Sequence, residues 1–206
     1  MSSLAAPALM TGGAGAGRDG ADGTSPLAAL VERAREGDGR AFDRLMLETQ
    51  ERVVGTAWRL LGSREDARDA AQEVYLRVFR HLGRFRPGHD FRAWLYRITV
   101  NVCRDAARRR RREPVAAAAA REPGSAPEAE QDLLGAERWS RLLGALAALP
   151  PKERAALVLR DLEGLTSEQV ARVLGSRPGT VRSQIASARM RIRSFCVDLM
   201  GLKGGA

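Results

Sequence analysis

The chain has 206 residues, a formal net charge of +9 and an isoelectric point near 10.9, so composition first favours a polyanionic partner. Arginine supplies almost all of the positive charge, and its planar fork suits bidentate contacts to phosphate and guanine. Cys103 and Cys196 stand far apart with no cysteine or histidine nearby, which argues against a zinc site or a disulfide framework. We find neither a signal-peptide pattern nor an apolar run of about 20 residues, so we expect a soluble, cytoplasmic protein.

Composition along the chain predicts two folded blocks. Residues 1–25 are rich in Gly, Ala, Ser and Pro and predict a disordered N-terminal tail. Residues 113–130 place three prolines around an alanine run and predict a flexible linker, and 200–206 form a short Gly-rich tail. The remaining blocks are 26–112 and 131–199. Neither shows sustained alternation of apolar and polar residues, so we predict an all-α fold of two small helical domains.

The first block predicts a four-helix bundle. Apolar residues recur at helical spacing from Leu27 onward, and three polar residues stand where a helix would begin: Asp38, Ser63 and Asp90. Their side-chain oxygens suit the N-cap position, and Gly62 suits the end of the second helix. The third helix would bury a stripe of small residues. That stripe consists of Ala67, Ala70, Ala71, Val74 and Val78.

The second block begins with two predicted helices, Leu133–Leu149 and Lys152–Leu162, and continues with a helix-turn-helix over Thr166–Arg193. Thr166 can cap the first short helix, Gly175 suits the positive φ of the turn, and Pro178 suits the first turn of the second helix.

The second helix of this motif has the charge pattern of a DNA-recognition helix. Val181, Ile185, Ala188 and Ile192 form its buried stripe, at spacings of 4, 3 and 4. The segment from 177 to 193 contains five arginines and no acidic residue. Such a helix can hold phosphates and reach base edges in the major groove, so we predict DNA binding.

Two separate passages resemble one protein family. SREDARDAAQEVYLRVF (63–79) followed by FRAWLYRITVNVCRD (91–105) resembles region 2 of the extracytoplasmic-function (ECF) sigma factors of bacterial RNA polymerase. The passage from LPPKERAALVLRDLEGLTSEQVARVLG onward is similar to region 4 of the same family. The resemblance implies that 26–112 form region 2 and 131–199 form region 4. It further implies promoter-specific transcription initiation, with promoter DNA and core polymerase as partners.

The resemblance also implies which residues contact polymerase. In the family, the third helix of region 2 docks on the clamp coiled coil of the β′ chain, and region 4 meets the β flap. An acidic and amide face beside an apolar stripe suits docking on a charged coiled coil. The matching positions here are Asp66, Asp69, Gln72, Glu73 and Arg77.

In the family, the following turn and the fourth helix meet the melted −10 element and capture a flipped base of the non-template strand. Stacking, amide hydrogen bonds and phosphate contacts suit this task. The matching residues are Arg84, Phe85, Arg86, Phe91, Arg97, Asn101, Arg104 and Arg108. Phe91 and Trp94 also fit core positions, and Asn101 fits either base reading or a buried polar network. Arg108 begins a run of five arginines, more than a helix C-terminus needs.

Recognition of the −35 element falls to the helix-turn-helix. The implied residues are Arg177, Thr180, Arg182, Ser183, Gln184, Ser187 and Arg189. Thr180, Arg182 and Ser183 fit the family pattern. The chain departs from it at 184, 186 and 187, where Gln, Ala and Ser replace basic or bulky residues, so its −35 preference is expected to differ.

Three other readings remain open at this level. The first is an ordinary two-domain repressor or activator, and the second is a degenerate sigma factor that binds polymerase without opening promoters. The third, an enzyme, has little support. His81 and His89 are the only histidines, and no catalytic set or phosphate-binding glycine loop accompanies them. We expect no cofactor and no metal, and the resemblance implies an anti-sigma factor as a further partner.

Overall fold

The computed structural model describes residues 26–112 and 133–199, and every regular element within these two ranges is helical, as predicted. The predicted tails and linker, 1–25, 113–130 and 200–206, lie outside the described residues. We number the helices in chain order: α1 (Pro26–Arg35), α2 (Gly39–Leu61), α3 (Arg64–His81), α4 (Phe91–Arg110), α5 (Leu133–Ala147), α6 (Pro151–Leu157), α7 (Ser167–Leu174) and α8 (Pro178–Leu199).

The predicted caps fix where the helices of the first block begin. Asp38 Oδ1 accepts from the Ala41 amide at 3.1 Å, Ser63 Oγ from Asp66 at 3.2 Å, and Asp90 Oδ1 from Ala93 at 3.0 Å. Each bond satisfies an amide that has no partner inside its helix. Gly62 ends α2 with φ +75°, a conformation that an L side chain would strain.

Helices α1 to α4 enclose the core of the first block. The small-residue stripe predicted for α3 is buried in full, which lets α2 and α4 approach it closely. Tyr75 and Thr49 join α3 to α2 through a hydroxyl contact of 2.9 Å. Both cysteines are free, as predicted. Cys103 is buried in this core, which raises the pKa of its thiol to about 12, whereas Cys196 on α8 is exposed.

The second block contains α5 to α8, with two differences from the predicted boundaries. Helix α5 ends at Ala147, before the predicted Leu149, because Pro150 and Pro151 follow. The helix predicted over 152–162 is α6 followed by a π-helical turn, Val158–Leu162. Gly164, with φ +74°, reverses the chain after this turn.

The two blocks pack against each other, which the sequence did not predict. Ala93, Tyr96 and Val100 of α4 lie in one apolar cluster with residues of α6, α7 and α8. Trp139 of α5 packs on Trp58 of α2, with ring centroids 4.9 Å apart. The core of the second block therefore extends directly onto the surface of the first.

Candidate nucleic-acid interface and docking face

The helix-turn-helix has the predicted local geometry. Thr166 and Gln169 form a reciprocal capping box at the start of α7, with hydrogen bonds of 3.1 and 2.7 Å. Gly175 turns the chain with φ +62°, and Pro178 is the first residue of α8. Val170 and Val181 are fully buried between the two helices. This packing fixes the direction in which α8 presents its outer face.

Four of the seven residues predicted to read the −35 element are exposed at the start of α8. They are Arg177, Thr180, Arg182 and Ser183. The Arg182 guanidinium lies 4.0 Å from the Glu168 carboxylate, and its side chain is 66% exposed. The side chains of Arg177 and Thr180 make no hydrogen bond or ion pair with another described residue. The face is therefore cationic and open to a polyanion.

The remaining three of these residues are less available for contact with a nucleic acid. Gln184 and Ser187 are half-buried, and Arg189 forms a two-bond pair with Asp161 at 2.7 and 2.9 Å. Because Nε and Nη2 of Arg189 are both bonded to the Asp161 carboxylate, this residue fastens α8 to the turn before α7. In the structure, the exposed cationic face is therefore limited to the first turn and a half of α8.

A second polar stripe runs along α4. Arg97, Asn101, Arg104 and Arg108 recur at spacings of 4, 3 and 4, which places them on one helix face. Arg97 and Asn101 are exposed and bond to no other described side chain, and Arg108 lies 3.6 Å from Asp105. The stripe can contact a nucleic-acid backbone along three turns. Asn101 lies on the outer surface, so the alternative of a buried polar network is wrong.

The two phenylalanines predicted to stack on bases are buried. Phe85 and Phe91 are each 7% exposed, and their rings meet edge to face at 5.6 Å. Trp94 packs against both rings, with centroids 5.3 and 5.6 Å away. Burying these large apolar rings is strongly favourable, so in this structure they anchor the loop to the core. The burial of Phe85 corrects the expectation that its ring is free to stack on bases, and Phe91 occupies the core position that the sequence also allowed.

The loop between α3 and α4 borders a cationic cavity of about 390 Å³. Arg84, Arg86 and His89 line it from the loop, together with Arg97 of α4. Arg172 and Val173 of α7 close its other side. The loop predicted to meet the −10 element thus faces the second block across this cavity.

The exposed face of α3 carries an apolar patch that the sequence reasoning missed. Asp69, Gln72, Leu76 and Phe79 recur at spacings of 3, 4 and 3 and form one outer stripe, which we call the docking stripe. Leu76 is 51% and Phe79 69% exposed, large values for such side chains. The helical periodicity of the sequence leaves Leu76 and Phe79 outside the buried stripe, and this signal could have revealed the exposed patch.

The other three residues predicted on this face are held by intramolecular contacts. Asp66 Oδ2 accepts from Arg110 at 3.1 Å and is mostly covered. Arg77 donates to Glu73 at 2.7 Å and to Asp105 at 3.4 Å, which fastens α3 to α4. These contacts correct the sequence-based picture of a uniformly free polar face, because only Asp69 and Gln72 lack such partners among the described residues.

The described residues contain no group of three or more His, Cys, Asp and Glu side chains that could hold a metal ion. None of their helices has the length and apolar character needed to cross a membrane.

Comparison with known proteins decides the family. The model for sigma-70 region 2 matches residues 45–113, and the model for sigma-70 region 4 matches residues 139–192. The RNA polymerase sigma-H factor of Pseudomonas aeruginosa is 36% identical over 173 residues, which cover 79% of this chain and 90% of that protein. The chain belongs to the ECF sigma factors of the sigma-70 family.

One further relative agrees with this assignment, and one solved structure shares the fold. The ECF RNA polymerase sigma factor SigE of Mycolicibacterium smegmatis is 40% identical over 158 residues, or 75% of this chain and 61% of that protein. The sigma factor RpoE of Bartonella quintana, solved with the anti-sigma factor NepR, shares the fold with a TM-score of 0.63 and 23% identity, over 75% of this chain and 96% of that one. The open face of α8 lies within the residues that match region 4. The polar stripe of α4 and the docking stripe of α3 lie within the residues that match region 2.

Proposed function

We propose that this ECF sigma factor binds core RNA polymerase and directs promoter-specific transcription initiation by reading −35 and −10 elements. The observation that carries the proposal is the separation of three surfaces: two basic faces, on α8 and α4, and one acidic and apolar stripe on α3. An ordinary DNA-binding regulator needs only the basic face of α8. A factor that must hold polymerase and open a duplex needs all three.

For the −35 element, the start of α8 enters the major groove. Arg177 and Thr180 hold the phosphate backbone, and Arg182 reaches the base edges, where guanine offers two acceptors to a guanidinium. The capping box and Gly175 turn fix the angle of α8, so the preference depends on few side chains. Gln184 and Ser187 lie at the margin of this contact.

For the −10 element, the α4 stripe binds the non-template strand after melting. Arg97, Arg104 and Arg108 follow the phosphates, and the Asn101 amide can donate to and accept from one exposed base edge. Arg84 and Arg86 extend this cationic path along the loop. Phe85, Phe91 and Trp94 support the loop from behind.

For polymerase, the docking stripe meets the β′ clamp coiled coil, and region 4 meets the β flap. Leu76 and Phe79 supply the apolar anchor, and Asp69 and Gln72 supply the polar rim. All bond-making chemistry belongs to the polymerase, so the factor needs no catalytic group of its own. We assign residues 26–112 to region 2 and 131–199 to region 4, joined by a linker.

The same surfaces suit control by an anti-sigma factor. A protein that covers the docking stripe would prevent polymerase binding. The factor would act in the cytoplasm and on the nucleoid when bound to polymerase.

Asn101 offers a test of the −10 assignment. Its replacement by alanine is expected to reduce promoter melting by the holoenzyme about tenfold, the loss of about 1.4 kcal/mol typical of a hydrogen bond to a base. Permanganate reactivity of unpaired thymines measures the melted fraction. The control is Gln50→Ala, which removes another exposed side-chain amide, from α2. Equal melting by the two variants would contradict the role of Asn101.

A further inference from the structure

Two arginines on one face of α8 are engaged to very different degrees. Arg182 and Arg189 are seven residues apart, so they lie within about 20° of each other around the helix and about 10.5 Å apart along its axis. Each lies beside an acidic residue of a preceding segment. Arg182 is 4.0 Å from Glu168, too far for a hydrogen bond, whereas Arg189 forms two hydrogen bonds with Asp161. The first arginine is therefore free to bind DNA, and the second is held by its carboxylate.

The contact between Arg189 and Asp161 has the geometry of a strong ion pair. Arg189 Nε lies 2.9 Å from Asp161 Oδ2, and Nη2 lies 2.7 Å from Oδ1. Two parallel bonds between one guanidinium and one carboxylate are the arrangement in which a surface ion pair has measurable strength. The two side chains are 61% and 29% exposed, so solvent and a polyanion can reach the arginine. The carboxylate of Asp161 therefore occupies the positions that phosphate oxygens would otherwise take.

The backbone of Asp161 is held in place by the π-helical turn Val158–Leu162. The Glu163 amide donates to the carbonyl five residues earlier at 3.0 Å, which is the π-type bond. The Arg160 guanidinium donates to the Leu165 carbonyl at 2.8 Å and braces the same turn. Turns of this kind are rare and occur frequently at functional sites. The carboxylate therefore reaches α8 from a fixed support.

The position of α8 does not depend on Asp161 alone. Val181 and Ile185 are buried beneath the helix. Beyond them, Arg191 Nε lies 3.1 Å from Glu153 Oε2 at the start of α6. Because these contacts remain when the Asp161 carboxylate is removed, its loss would release one side chain and leave the helix in place.

We propose that Asp161 withholds Arg189 from DNA and so limits the sequence-independent affinity of region 4 for the phosphate backbone. This inference rests on the proposed function, because it requires α8 to lie in the major groove. With the pair intact, α8 contacts DNA through its first turns, where Arg182 reaches base edges. Without the pair, Arg189 adds a phosphate contact two turns further along the same face. A phosphate contact carries no sequence information, so it strengthens binding to every promoter by the same factor.

The test is a substitution that should increase affinity. Holoenzyme made from core polymerase and the full-length Asp161→Asn variant should bind promoter DNA about 3- to 10-fold more tightly than wild-type holoenzyme at low salt, the effect of one added hydrogen bond. The slope of log K against log salt concentration should become steeper by about 0.9, the value for one neutralised phosphate. Both changes should be equal on a promoter with the preferred −35 element and on one with an altered element. Anisotropy of dye-labelled promoter fragments, titrated with holoenzyme at several salt concentrations, measures both quantities.

Two further variants identify the source of the gain. The double variant Asp161→Asn with Arg189→Gln has the net charge of the wild type but lacks the released guanidinium, so its affinity and salt slope should return to the wild-type values. Glu137→Gln is the matched control, because it removes the carboxylate of another arginine pair, with Arg141 at 3.0 Å on α5. Circular dichroism checks that each variant is folded.

Four results would overturn the inference. Weaker binding by folded Asp161→Asn would show that the pair positions α8, and unchanged binding would show that no contact is withheld. A gain no larger than that of Glu137→Gln would reflect only the lost negative charge. A gain on one of the two promoters alone would make Arg189 a base contact. By contrast, a wild-type holoenzyme that does not distinguish the two −35 elements would refute the proposed function itself, and the inference with it.

Discussion

Replacing Phe79 with aspartate is expected to lower the affinity of the factor for core polymerase about 30-fold, the effect of losing an aromatic hot spot of about 2 kcal/mol. The ring is 69% exposed on α3, next to Leu76, and among the described residues it meets the ring of Phe42, with centroids 5.2 Å apart. A buried position on a partner explains such an exposed aromatic side chain better than a role in folding does. Fluorescence anisotropy of the labelled factor, titrated with core polymerase, measures the affinity.

Leu47→Asp is the matched control for this substitution. Leu47 is also a large exposed apolar residue, at 58%, but it lies about 140° around α2 from Phe42, at about 100° per residue. Its replacement should leave polymerase affinity within about twofold, because surface substitutions usually cost within about 0.5 kcal/mol. Equal losses for the two variants, or no loss for Phe79→Asp, would remove the docking stripe from the polymerase interface.

Arg182→Ala is expected to reduce initiation at promoters that depend on a −35 element by about 5- to 150-fold, the range of one bidentate contact worth about 1–3 kcal/mol. Arg182 lies on the open face of α8, where only Glu168 approaches it, at 4.0 Å. The loss should be largest on the preferred −35 sequence and small on a promoter with an altered −35 element, because a base contact carries sequence information. Run-off transcription from the two promoters measures both quantities.

Arg141→Ala controls for charge in this experiment. Arg141 is an exposed arginine of α5 whose guanidinium pairs with Glu137 at 3.0 Å. Its removal changes the net charge equally but should weaken initiation slightly and without regard to the −35 sequence. If Arg182→Ala weakened both promoters to the same degree, Arg182 would be a phosphate contact and the preference would depend on other residues.

Local sequence signals predicted the helices and the exposed polar face at the start of α8 well, because these features depend on neighbouring residues. Asp38, Ser63 and Asp90 cap their helices as predicted, and Thr166 and Gln169 form the capping box of the helix-turn-helix. These bonds join residues three apart in the chain, so a single sequence contains both partners. The open face of α8 followed from the same helical periodicity.

Features that depend on distant residues were not predictable in this way. Glu163 meets Thr56 and Tyr96 across more than 60 positions of sequence, and no local pattern announces the contact. Phe85 and Phe91 are buried because Trp94 closes over them, which a loop sequence does not reveal. Asp66 and Arg77 were expected on a free face, but each meets a charged residue of α4.

The most direct test of the central claim is transcription by core polymerase from a genomic promoter library, with and without the purified factor, followed by sequencing of the RNA 5′ ends. The account predicts discrete new start sites that appear only with the factor, each preceded by a shared −35 and −10 pair. Tight binding to core polymerase without new start sites would instead indicate a degenerate factor that sequesters polymerase. Failure to bind core polymerase at all would contradict the sigma-factor account and leave an ordinary DNA-binding regulator.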